Sequence, residues 1–126
     1  MIQLILFVQK NWVAITLFSL AGVTASSLWP AEHLPDVPGT DKLHHVIAYT
    51  ILVFPTALRK PDKWVLFGLS FIVYGGAIEL IQPYANRYGE WLDLLANTTG
   101  VLCGFVIAGF ITWFFSGALI AAKNAR

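Results

Sequence analysis

The sequence has 126 residues, 57% hydrophobic and 12% charged, with a formal net charge of +1 and a mean hydropathy of +0.69. An ordinary globular domain carries about 25% charged residues, so this composition excludes a usual soluble domain and points to an integral membrane protein with one domain, 1–126. No basic patch is large enough for nucleic acid, so none is expected as a partner.

A bilayer core takes roughly 20 apolar residues per helix, and the length then allows about four spans. Residues 1–8 are apolar and read as a segment lying along the membrane surface, ended by Gln9, Lys10 and Asn11. A first span follows at 12–29, with tryptophan at both ends as interfacial anchoring produces. It is longer than the apolar core of a secretory signal, and more spans follow, so it reads as part of the fold.

Residues 30–40 hold three prolines, a glycine, Glu32 and Asp36, the composition of an exposed loop. A helix beginning near Asp41 places His45 four residues on, on the same face, and continues that face to Tyr49. Lys42 is near enough to the loop for its ammonium to reach water. Two readings of His45 stay open: an interfacial histidine held by a hydrogen bond, or a chemical group.

The second span covers 43–58 and leads into a tight basic turn with Arg59, Lys60 and Lys63. The third covers 64–82 and stops at Pro83. The fourth covers 92–115, after which Lys123 and Arg126 close a short polar tail. Its residues Ala96, Gly100, Gly104 and Ala108 form a small-residue stripe that lets another helix approach closely. The expected partner is the third span, through Gly75 and Gly76, and the alternative is a homodimer through the same stripe. Cys103 lies in the fourth span, cannot form an internal disulfide, and reads as a small apolar residue.

Lys10, Arg59, Lys60, Lys63, Lys123 and Arg126 fall on one side of this arrangement, and only Lys42 and Arg87 on the other. The positive-inside rule then places both termini in the cytoplasm. As a consequence, Asp41 and His45 share the outer face with the hairpin between the third and fourth spans. That hairpin contributes Glu79, Gln82, Arg87, Asp93 and Asn97.

Carboxylates in an apolar helix cost several kcal/mol to desolvate unless paired, so they face a bundle interior and often mark function. The plainer alternative pairs Glu79 with Arg87 and makes Asp93 a helix cap. In the functional reading, Lys42 and Arg87 hold a phosphate, and His45 and Glu79 form an acid/base pair with Asp93 beside them. Asp41, Tyr49, Gln82 and Asn97 complete the ligand contacts. No H-E-x-x-H or paired-cysteine spacing occurs, so no metal or cofactor is expected, although His45, Glu79 and Asp93 make a donor set suited to zinc, manganese or iron.

Taken in order, Asp41-Lys42, His45, Tyr49, Glu79-Leu-Ile-Gln82, Arg87 and Asp93-Leu-Leu-Ala-Asn97-Thr-Thr-Gly100 with Gly104 resemble the VanZ-like family of small bacterial membrane proteins. The resemblance covers about half of the chain. It implies an all-α four-helix membrane domain in the bacterial cytoplasmic membrane, a cell-envelope role, and an association with teicoplanin resistance. The site would bind or modify an envelope lipid or lipid-linked saccharide. Two other classes remain: a proton-coupled transporter or channel, and a structural protein whose polar cluster only clasps its helices.

Overall fold

The computed structural model describes residues 1–29, 40–86 and 88–125. Among them the regular elements are all helical: α1 (Ile2–Lys10), α2 (Trp12–Ser27), α3 (Thr40–Arg59), α4 (Trp64–Ile81), a 3-10 turn (Gln82–Ala85), α5 (Trp91–Phe114) and α6 (Ser116–Asn124). The loop expected at 30–39, Arg87 and Arg126 lie outside the described residues.

α1 and α2 meet at a bend of 78°. Asn11 makes the break, because its main-chain N–H and its side-chain amide both donate to the Phe7 carbonyl, at 3.0 and 2.9 Å. α1 then buries Ile5 and Leu6 against Leu119. The expected polar tail is therefore corrected: beyond Phe115 the chain forms α6, whose apolar side covers α1. α1 itself is packed on protein along that side.

α3 is the central helix, touching α1, α2, α4 and α5, and α5 most extensively. Tyr49, Leu52 and Val53 from α3 pack with Val23 of α2, Phe71 of α4 and Val101 of α5. The partner of the small-residue stripe is also corrected. Gly100 and Gly104 lie against Val46, Tyr49, Thr50 and Val53 of α3, so close that a Cβ on Gly100 would stand 2.4 Å from the Val46 carbonyl oxygen. Thr50 uses this approach to donate a hydrogen bond to the Gly100 carbonyl at 3.0 Å. The stripe is thus engaged inside one chain, where Ala96, Gly100, Gly104 and Ala108 are all buried. Gly75 faces Asn97 and Tyr49, and Gly76 faces Leu94, so α4 meets α5 beside the stripe.

The outward faces are apolar. Leu66, Val73 and Leu80 of α4 and Leu102, Val106 and Phe110 of α5 are each more than half exposed, a surface that water would disfavour and lipid would not. α4 with its 3-10 continuation (Trp64–Ala85) and α5 are long and apolar enough to cross a membrane, and the bent α1–α2 pair is a third candidate if counted as one span. α3 has 20 residues but carries Asp41, Lys42, His44 and His45 in its first turns, which lowers its hydropathy; of these four only His45 is buried.

The two ends of the molecule differ in charge. Lys10, Arg59 and Lys123 line one cavity of about 360 Å³ with Gln9 and Trp12. Asp41 and His45 sit at the other end of α3, some 27 Å away at a helical rise of about 1.5 Å per residue.

Candidate functional site

Three helix ends meet at the acidic end. The first turns of α3 supply Asp41, Lys42 and His45, the last turn of α4 supplies Glu79, and the start of α5 supplies Glu90, Asp93 and Asn97. His45 and Glu79 are each 8% exposed, Asp93 2% and Asn97 0%, so these side chains must satisfy one another.

Asn97 joins two of them. Its Oδ1 lies 2.9 Å from His45 Nδ1, and its amide Nδ2 donates to Glu79 Oε1 at 3.4 Å. The reverse amide orientation would set a carbonyl oxygen against a carboxylate, so the network itself assigns the flip. It follows that His45 Nδ1 carries the hydrogen and donates it. The opposite ring atom, Nε2, then faces Asp41 Oδ1 at 3.9 Å and Asp93 Oδ2 at 3.8 Å.

Lys42 takes the other oxygens of those acids. Its Nζ stands 2.5 Å from Asp93 Oδ1, 2.6 Å from Glu90 Oε2 and 3.9 Å from Asp41 Oδ2. The hydrogen bonds to Asp93 and then Glu90 hold this ammonium well above the usual lysine range. Lys42, expected to help hold a phosphate, thus already contacts three carboxyl groups.

Glu79 gains a further donor from the hairpin. The Glu90 main-chain N–H reaches its Oε2 at 3.3 Å. Gly89 makes that approach possible, because a Cβ there would fall 2.2 Å from the Glu79 carbonyl oxygen. Asp93 occupies the third position of α5, and Glu90 is the N-cap without a side-chain cap bond, so Asp93 acts through Lys42 rather than as a cap.

Asp41, Lys42, His45, Glu79, Asp93 and Asn97 thus come together as the sequence suggested. Tyr49 lies beneath them, its hydroxyl buried beside Gly75 with no hydrogen-bond partner among the described residues. Gln82 is used elsewhere: its Nε2 donates to the Ser27 carbonyl at 3.2 Å and ties the hairpin to the end of α2. Arg87 lies outside the described residues.

Sequence reasoning passed over Glu90 and Gly89, whose only signal was a glycine and an acid just ahead of Trp91. It also passed over Ser26 and Ser27. These line a cavity of about 310 Å³ together with Asp41, His44, His45, Ala48 and Tyr49. The cluster therefore borders a space large enough for part of a ligand.

Fold and site together define a class: among the described residues, an all-helical protein with two or three helices long and apolar enough to cross a membrane and a buried acid, imidazole and amide network at one end. Comparison with protein-family models, with curated proteins and with solved structures gave no match. What the network does is accordingly inferred from its own chemistry.

Proposed function

We propose that this chain is a multi-pass protein of the bacterial cytoplasmic membrane that binds the polar head of an envelope lipid or lipid-linked saccharide at its outer face. In this reading α2 to α5 form a four-helix bundle with both termini cytoplasmic. The gathering of Lys10, Arg59 and Lys123 at one end supports that orientation, and it leaves the acidic cluster outside.

One observation carries the reading. His45, at the end of the His45–Asn97–Glu79 network, and Asp41 line a cavity whose other walls are Ser26, Ser27, His44, Ala48 and Tyr49. Carboxylates, hydroxyls and an imidazole are the groups that recognise sugar or glycerol hydroxyls, and the apolar outer faces of α4 and α5 keep the acyl part in lipid. Where turnover follows binding, His45 and Glu79, 3.9 Å apart at Nδ1 and Oε1, are the acid and base. The resemblance to VanZ-like proteins supports an envelope substrate and links the chain to teicoplanin resistance.

Mass spectrometry of lipids retained by the purified chain tests this. The wild type should carry a defined envelope lipid that His45→Ala and Glu79→Ala lose at normal membrane levels. Teicoplanin susceptibility of a host expressing each form should follow the same order. Equal lipid retention by all three forms, or bulk phospholipid alone on the wild type, would overturn the reading.

A further inference from the structure

We infer that the cavity at the basic end of the molecule is a binding site for the head group of an anionic phospholipid. It measures about 360 Å³ and is lined by Leu6, Gln9 and Lys10 of α1, Trp12 of α2, Arg59 of α3 and Lys123 of α6. It lies at the opposite end of α3 from the acidic cluster, so the inference goes beyond the proposed function and does not rest on it.

Two contacts bring the cations together. Gln9 Nε2 donates to the Leu58 carbonyl at 2.8 Å, and this tether sets the next residues along, Lys10 and Arg59, at one rim. Leu119 packs on Ile5 and Leu6, and Lys123 follows Leu119 by four residues, on the same face of α6. Each of the three basic residues belongs to the last turn of its helix, where a cation suits the helix dipole. The dipole explains each charge singly, but gives no reason for three helices to place theirs around one cavity.

Like charges around a shared space repel, and an anion between them removes the cost. Among the described residues, that anion is not a carboxylate of the chain: every ion pair found there involves Lys42 or His45. A phosphodiester supplies it. Arg59 offers a phosphate two parallel N–H donors, and the two ammonium groups add point charge.

The setting favours a lipid over a soluble anion. With α2 across the bilayer, the 78° bend lays α1 along the interface, where an apolar outer side and a terminal cation suit anionic lipid. Leu4 and Phe7 of α1, Leu17 of α2 and Ile120 of α6 are each more than half exposed. The helices that wall the cavity thus also give acyl chains an apolar surface. Trp12, edge-on to Phe67 with ring centroids 5.4 Å apart, supplies the amphipathic ring that membrane interfaces favour. Basic pockets between membrane helices take phospholipid head groups on these grounds.

Native mass spectrometry of the full chain in detergent tests the inference, with phosphatidylglycerol, phosphatidylcholine and inorganic phosphate as probes. One phosphatidylglycerol per chain should bind about ten-fold or more tighter than phosphatidylcholine, and inorganic phosphate should not displace it. Lys10→Gln, Arg59→Gln and Lys123→Gln should each weaken binding by about three- to ten-fold. All three side chains are exposed, so these variants fold. Lys63→Gln removes a charge outside the lining of this cavity and should leave binding unchanged. Equal affinity for the two lipids, displacement by inorganic phosphate, or the same loss in Lys63→Gln as in Arg59→Gln would each overturn the proposal.

Discussion

Asn97 stands between His45 and Glu79, accepting from one at 2.9 Å and donating to the other at 3.4 Å. A fully buried amide in that position sets the tautomer of the ring and supplies a donor to the acid at once. Replacing it with leucine should leave both partners unsatisfied and lower stability by about 1–3 kcal/mol. Asn97→Asp should be worse than Asn97→Leu, because it also sets a second carboxylate against Glu79. Thermal unfolding of detergent-purified protein, followed by tryptophan fluorescence, gives the ranking.

The contact between Gly100 and Val46 predicts a sharp contrast along α5. A Cβ at Gly100 would meet a main-chain oxygen at 2.4 Å, whereas Gly109 has nothing within 4 Å. Gly100→Ala should therefore push α3 and α5 apart and cost about 1–3 kcal/mol. Gly109→Ala should be neutral or gain up to about 1 kcal/mol from the stiffer unfolded chain. Membrane abundance and melting temperature of the two variants measure it, and equal effects would contradict the packing described.

Lys42 and Asp93 form an ion pair in which the acid is buried and the base partly exposed. Lys42→Met should destabilise the fold by leaving Asp93 without its counter-charge. Adding Asp93→Asn should restore much of the loss. A double-mutant cycle is expected to return a coupling of about 0.5–3 kcal/mol, and a coupling near zero would mean that water screens the pair.

Thr16 and Thr56 share a buried contact of 3.3 Å between α2 and α3. Either single change to valine should cost about 1 kcal/mol by orphaning one hydroxyl, while the double change should be closer to neutral. Unfolding midpoints of the three variants test the inversion.

The proposed orientation predicts labelling. With Cys103 replaced by serine, a cysteine at the exposed Tyr88 should react with an impermeant maleimide in intact cells. One at Lys63 should react only after the membrane is opened. The reverse pattern would put the acidic cluster inside.

Much of this was legible from composition and spacing. Apolar runs bounded by tryptophan, proline and charge marked where helices begin and end, and α4 and α5 start at Trp64 and Trp91 close to where those signals placed them. The four-residue spacing of Asp41 and His45 put them on one face, and desolvation cost said that Glu79, Asp93 and Asn97 must face inwards. Helical periodicity says which residues share a face, but it is silent on what lies opposite. Only tertiary structure decided that the Gly100 stripe meets α3, that Lys42 is already bracketed by Glu90 and Asp93, and that Asp41 joins His45 and Asp93 on the side away from Glu79. Those outcomes depend on distances of a few ångströms between segments remote in sequence, and no one-dimensional pattern carries that information.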